Sequence, residues 1–381
     1  MQLFSVSKGE YKMDKKKKAA QQLIEKLDLL LRRYIFFSDP VYYSLCSLYI
    51  LFTYVYKDFD ELPYLLIFGP KGSGKSTLGA ILKSLCDKGR KVSDVSPAIL
   101  YRYIDQRKQK GLTIVIDESE DLSQAKGSNL FLRVLRSGYK SDGSIGRFDR
   151  FKTTFFSTFC PKVIINTAGI LDPALESRTI PIPMIKAQTH LEKFRSKKSE
   201  KDFEDIRGLI QQFLNAYRRA ILDHYNAFPG IEGLAGRDEE IWAPILVIGD
   251  ILDGTSAELS LSKNIVELAK KVIDQRRRRL LVENRDAQVL EATWEYVKTK
   301  KPLNKEGLYI GEKLTMSIAK RWDIPSLKIE AVSRILHRYG IIKEIKRPRL
   351  NAQGQISSKG TQKSCYLLNK EILEKLAQEY L

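Results

Sequence analysis

Residues 64–77 read Tyr-Leu-Leu-Ile-Phe-Gly-Pro-Lys-Gly-Ser-Gly-Lys-Ser-Thr. A short apolar run leads into a glycine-rich loop, and a helical pattern follows through Leu85. Gly69, Gly74, Lys75 and Ser76 fit the spacing G-x-x-x-x-G-K-[ST]. Glycines let successive backbone N–H groups curl inward as an anion nest. The helix that follows turns its positive end toward the same point. Strand, loop and helix together predict a phosphate cradle over Gly69, Pro70, Lys71, Gly72, Ser73, Gly74, Lys75, Ser76 and Thr77. Lys75 can reach the β- and γ-phosphates of a nucleoside triphosphate, and Ser76 can hold Mg²⁺. ATP and Mg²⁺ are the expected cofactors.

A second stretch complements the first. Residues 112–118, Leu-Thr-Ile-Val-Ile-Asp-Glu, form a β-branched strand that ends in two carboxylates. At the carboxyl end of a parallel strand Asp117 can hold Mg²⁺, and Glu118 can polarise an attacking water as general base. Residues 163–167 are a third core strand ending in Asn166-Thr167, and another strand covers 178–182. Helical stretches alternate with these strands, which predicts an α/β fold with a parallel sheet and helices on both faces.

The 381 residues suffice for two or three domains. Lys+Arg 65 against Asp+Glu 46 leaves +19. That excess favours a polyanionic partner, nucleic acid before membrane. The four cysteines lie far apart without a C-x-x-C pair, which predicts a reducing, cytoplasmic setting and no zinc site. The apolar stretch 41–56 is shorter than the roughly 18–20 residues that span a bilayer, so a buried helix is expected there and no membrane partner.

The remaining chain divides by pattern. Residues 1–18 read as a polar arm ending in the run Lys15 to Lys18, and 19–33 as an amphipathic helix. Asp39-Pro40 and Ser96-Pro97 each signal a helix start. Residues 137–159 read as a β-hairpin tipped near 141–144 that carries Lys140, Arg147, Arg150 and Lys152. Three helices are expected over 203–225, 238–252 and 261–281, with Pro244 in a first turn or at a kink, and with the run Arg276 to Arg279 closing the third. From about 286, three helices precede two strands around a polar loop, a winged-helix order. Its Arg334, Arg338, Lys346, Arg347 and Arg349 are candidate DNA contacts. The expected domains are 1–62, a basic arm with helices; 63–190, the nucleotide-binding core; 191–284, a helical lid and linker; and 285–381, the winged helix.

These motifs resemble the AAA+ ATPases, and more narrowly the MCM-like self-loading helicases of mobile genetic elements. The resemblance rests on Arg33-Tyr34, on 69–76, and on Ser96-Pro97-Ala98 and Ile116-Asp117-Glu118. It continues with Leu135-Arg136-Ser137-Gly138-Tyr139, Leu175-Glu176-Ser177-Arg178, Gly236-Arg237-Asp238 and Ile241-Trp242-Ala243-Pro244. It implies that Asn166 orients the attacking water and that Arg178 is an arginine finger inserted into a neighbour's ATP site. It makes Arg237 a second sensor that contacts the γ-phosphate, and makes the hairpin a pore element that grips DNA through Lys140, Arg147 and Lys152. A homo-hexameric helicase is the function implied, with single-stranded DNA in the pore and duplex at the winged helix. A DNA-binding initiator or loader without unwinding, or a protein-remodelling ATPase, are the alternatives. Such ring helicases carry a collar or primase-like domain. Fewer than about seventy residues precede the loop here, marginal for an independent domain. Loading is then expected from the winged helix or from a separate initiator or primase.

Overall fold

The computed structural model describes residues 8–117, 129–149, 152–169 and 171–380. The chain divides into two compact units, Met1–Val272 and Ile273–Leu381.

The first unit is built on five parallel strands: β1 (Tyr64–Phe68), β2 (Gly89–Val92), β3 (Thr113–Ile116), β6 (Lys162–Asn166) and β7 (Thr179–Pro183), in the order β2-β3-β6-β1-β7. The central strands β1, β3 and β6 are almost wholly buried, as their unbroken apolar runs require. The edge strand β2, Gly-Arg-Lys-Val, alternates only weakly and is not apparent in the sequence. Between β4 (Ser144–Asp149) and β5 (Lys152–Ser157) the chain makes a separate antiparallel pair.

Helices flank the sheet. α3 (Lys75–Leu85) follows the phosphate loop and packs on β2, β3 and β6. α4 (Pro97–Arg107) starts where expected: the Ser96 hydroxyl accepts from the Ile99 N–H, with proline at the next position. α5 (Leu130–Ser137) and the short α6 (Pro173–Glu176) precede the hairpin and β7. α2 (Val41–Val55) is buried at twelve of its fifteen positions. At ~1.5 Å per residue it spans about 22 Å, short of a ~30 Å hydrocarbon core, so its apolar surface is core. Among the described residues no helix is long and apolar enough to cross a membrane.

α1 (Lys8–Tyr34) buries Leu23, Leu27, Leu30 and Leu31 and packs along α7 (Glu200–Asn226). Arg33 pairs with Asp202 at 2.9 Å, and the Tyr34 and Ser199 hydroxyls are 3.1 Å apart. Because this helix begins at Lys8, the run Lys15 to Lys18 lies within it and not in an arm. α8 (Arg237–Asp253) holds Pro244 in its buried interior, well past the first turn, and packs on α2 and α7. α9 (Leu261–Glu283) continues for a turn beyond Arg279, so the arginine run does not close it.

The second unit contains α10 (Arg285–Thr299), β8 (Leu308–Ile310), α11 (Gly311–Arg321), α12 (Ile329–Arg338), β9 (Ile342–Lys346), β12 (Cys365–Leu368) and a final helix α13 (Lys370–Tyr380). The sheet is antiparallel in the order β8-β12-β9. A small ribbon, β10 (Arg349–Leu350) with β11 (Thr361–Gln362), extends the connection between β9 and β12. Three helices and this sheet enclose one apolar core that includes Val289, Leu314, Val332, Leu336 and Tyr366. Three helices ahead of two paired strands is the element order read from the sequence. β8, the small ribbon and α13 are additions that the sequence reading did not contain. Inside the core Glu291 receives the side chains of Arg321 and Trp322.

Candidate functional site

The phosphate loop forms as its residue types dictate. Gly69 has φ +147°, and a Cβ there would lie 2.0 Å from the Met184 carbonyl oxygen. Gly74 stands left-handed at φ +91° and opens α3 directly at Lys75. The Lys75 ammonium lies back over the loop and donates to the Gly69 carbonyl at 2.6 Å and the Pro70 carbonyl at 3.0 Å. The Ser73 hydroxyl is buried in this loop and has no hydrogen-bond partner among the described residues. A closely wrapped loop, a cation across it and an unsatisfied hydroxyl form a donor-rich cradle that suits a polyphosphate.

Asp117 and Asn166 stand at the same end of the sheet. Asn166 is 1% exposed, pairs in register with Phe68 beside the loop, and accepts from the Gly169 N–H at 2.8 Å. The largely buried Asp117 follows the last residue of β3, and its N–H donates to the Val92 carbonyl at 3.0 Å. Its carboxylate holds the ammonium of Lys91, on β2, at 2.5 Å. Sequence reasoning did not single out Lys91. Only the pairing of β2 with β3 brings it there, and a short polar edge strand gives little sign of that pairing. Ser76 lies at the first turn of α3 and, with Asp117, presents oxygen ligands of the kind Mg²⁺ takes. Glu118 lies outside the described residues.

A second cluster forms at the opposite end of β1. The register Tyr64↔Thr179 puts Arg178 beside the start of β1, and the Tyr64 N–H donates to the Arg178 carbonyl at 3.0 Å. The Arg178 guanidinium lies 4.6 Å from the centre of the Tyr139 ring, and that of Arg237 lies 5.4 Å from the same ring. Arg237 also donates to the Ser177 hydroxyl at 3.0 Å. Arg136 grips Asp172 through two nitrogens, at 2.9 and 2.6 Å, while Asp172 caps α6. The motif around Arg136 and Tyr139 thus anchors the one that ends in Arg178. Burial, and then the neighbouring Arg237, hold the Arg178 guanidinium below its ordinary pKa. Two cations on one ring, with no carboxylate hydrogen-bonded to either among the described residues, suit an outside anion.

The hairpin turns the other way from the sequence reading. The pairing runs from Ser144↔Ser157 to Asp149↔Lys152, so it closes toward 149–152 and not near 141–144. Gly143 instead shapes the base. Its N–H donates to the Lys140 carbonyl at 2.9 Å, and its carbonyl accepts from Thr158 at 3.0 Å. Lys140 is at this base, paired with Glu61 at 3.2 Å and Glu240 at 3.7 Å. Strand alternation sorts the rest. Ile145, Arg147 and Phe156 face α4, with the Arg147 guanidinium 5.4 Å from the Tyr101 ring centre and the Phe156 ring at 5.1 Å. The opposite face presents Phe148 at 76% and Phe155 at 68% exposure, with the Phe155 ring lying over Gly146. Lys152 is exposed near the closed end, and Arg150 lies outside the described residues.

In the second unit the candidate DNA contacts fall into two groups. Arg338 is bound to Asp286 at 2.7 Å, and Lys346 to Glu306 at 2.9 Å. Arg334, Arg347 and Arg349 are exposed and form no ion pair with another described residue. The four cysteines are free and buried, and no cluster of metal-binding side chains occurs among the described residues.

No protein-family model matches this sequence, and no curated protein sequence does. Solved structures do resemble it. The A-form apo structure of the NrS-1 C-terminal region matches at 15% identity over 92% of this chain and 76% of that one, with a TM-score of 0.41. An SCCmec type IV Cch structure described as an active helicase matches at 13% identity over 87% of this chain and 68% of that one, with a TM-score of 0.39.

Proposed function

We propose that this protein is an ATPase whose catalytic site is completed by a second copy of the chain, and that it acts on DNA as a helicase. The observation that carries this reading is a separation. The phosphate loop lies past the carboxyl end of β1, whereas Arg178 and Arg237 meet at its amino end. Five strand residues at ~3.3 Å each put roughly 16 Å between them, farther than either arginine side chain extends. Both arginines therefore serve a phosphate on a neighbouring copy.

In that arrangement the loop N–H groups and Lys75 bind the phosphates, and Ser76 and Asp117 hold Mg²⁺. Asn166 orients water, with Glu118 as the expected general base. Mg²⁺-ATP supplies the γ-phosphoryl group. The neighbour's Arg178 and Arg237 neutralise the charge that develops on it. On the hairpin, Phe148 and Phe155 offer stacking surfaces to bases and Lys152 offers a phosphate contact. The same outward aromatic pair favours a second reading, in which the hairpin engages polypeptide and the enzyme remodels proteins.

Mixing variants tests the shared site. Arg178→Ala should bind ATP yet hydrolyse it about a thousandfold more slowly. Adding Lys75→Ala protein should restore turnover, because some interfaces then combine an intact loop with an intact arginine. No recovery in confirmed mixed assemblies would make Arg178 structural. ATP-dependent strand displacement on forked DNA, against unfolding of a tagged protein, separates the two substrate readings.

A further inference from the structure

The winged-helix unit contains a cleft that the DNA reading does not use. It has a volume of about 630 Å³ and lies between the end of α10, β8 with the segment before it, and α11. Its floor is aliphatic: Leu303, Leu308, Ile310 and Met316, the last 65% exposed. Its rim carries Lys300, Lys301, Lys313 and Lys320, all exposed. No carboxylate lines it, and none of the four lysines forms an ion pair with another described residue. The nearby Glu295, Glu306 and Glu312 are each committed to another lysine: Lys298, Lys346 and Lys363. Beside the cleft, the Tyr309 hydroxyl is buried without a hydrogen-bond partner among the described residues.

We propose that this cleft is the docking site for an acidic segment of a partner protein that carries apolar anchor side chains. Four unneutralised cations around the rim call for negative charge, and an aliphatic floor calls for apolar side chains. A nucleic acid strand would satisfy the first and not the second, because single strands are held on flat aromatic platforms. Here the one half-exposed ring is that of Tyr296, at the margin. An exposed methionine in the floor suits a flexible peptide, since its side chain refits to different anchors. The arginines offered to DNA, Arg334, Arg347 and Arg349, lie on or around α12, β9 and β10, not on the elements that form the cleft. Leu350 of β10 packs with Leu308 and Ile310, so the two surfaces adjoin, yet none of the cleft's lining side chains is one of these arginines. This inference does not depend on the ATPase reading.

The test is a selection of random displayed peptides on the full-length protein. The expected winners combine Asp or Glu with a large apolar residue. A synthetic winner should bind at least tenfold more weakly to Met316→Glu and to Lys313→Glu/Lys320→Glu. Both variants alter exposed side chains, and their thermal unfolding should match the parent. A single-stranded oligonucleotide should not displace the peptide. Failure to enrich any peptide, enrichment of basic or uncharged ones, affinity indifferent to both variants, or displacement by the oligonucleotide would each overturn the proposal. So would loss of self-association in Met316→Glu, which would give the cleft to a second copy of the chain.

Discussion

The Lys162 ammonium lies 3.1 Å from the Tyr64 hydroxyl oxygen, deep in the sheet. It also donates to the Thr158 and Cys160 carbonyls at 2.9 and 3.0 Å, while the Tyr64 hydroxyl donates to Leu135 at 2.9 Å. One buried cation thereby ties the exit of the hairpin to the strand that carries the phosphate loop, and through Tyr64 to the helix that enters the hairpin. Lys162→Met removes this tie and orphans two carbonyls. At ~1–3 kcal/mol for each, offset by the relief of burying a charge, a net loss of about 2 kcal/mol is expected.

That loss depends on pH. Burial lowers the Lys162 pKa from its ordinary value. Between the folded and unfolded pKa values the unfolded chain binds more protons, so stability rises with pH across that window. Below the lowered pKa the full cost of the buried charge remains. Denaturant unfolding of parent and Lys162→Met from pH 7 to 10.5 should show the parent gaining on the variant as pH rises. A difference that is flat or shrinking would show that the folded protein does not disfavour the charge.

Lys91 holds the Asp117 carboxylate, and in the proposed site a divalent ion would have to displace it. Lys91→Met should lower the Mg²⁺ concentration needed for half-maximal nucleotide binding severalfold. Without Mg²⁺ it should cost about 1 kcal/mol of folding stability, because the ion pair between Lys91 and a largely buried carboxylate is lost. Titrating Mg²⁺ against a fluorescent nucleotide reads the first effect and thermal unfolding reads the second. An unchanged Mg²⁺ requirement would remove Asp117 from the metal site.

On the hairpin the exposed rings, not Arg147, should grip the strand. Stacking is worth ~1–3 kcal/mol per base, so Phe148→Ala and Phe155→Ala should each weaken single-strand affinity by about 5- to 150-fold at little cost in stability. Arg147→Ala should mainly loosen the hairpin, by ~0.5–1 kcal/mol through the lost contact with Tyr101. Fluorescence anisotropy with a labelled oligonucleotide decides. The reverse ranking would restore a cationic grip.

If the second unit holds DNA as proposed, cations without an ion pair should matter more than paired ones. Replacing Arg334, Arg347 or Arg349 with alanine should each reduce the log–log salt slope of duplex binding by about one. Arg338→Ala and Lys346→Ala should change it less, since Asp286 and Glu306 already neutralise those side chains. Equal effects from all five would mean that DNA displaces the carboxylates.

The phosphate loop and the buried strands were legible because their chemistry is local. Consecutive residues form the loop, and β1, β3 and β6 announce themselves as short apolar runs between breakers. β2 was not legible: at the sheet margin it pairs with β3 alone and needs no apolar run. The hairpin tip is expected near 141–144 because glycines cluster there, but Gly143 closes its base. Which way Arg147 points follows from register parity, which the sequence leaves open until the turn is located. The meeting of Arg178 and Arg237 on Tyr139 is purely tertiary, and no spacing encodes it.

The two outermost strands of the five carry one more consequence. β7 contains Pro181 and Pro183, which have no N–H to offer, and the β2 margin carries Arg90 and Lys91. Proline and clustered cations are the usual means of keeping a sheet from growing by addition of further strands. Copies of this chain are thus discouraged from zipping together along the margins of this five-stranded sheet. At these two margins, contact between copies is left to side-chain surfaces, where geometry and partner can be controlled.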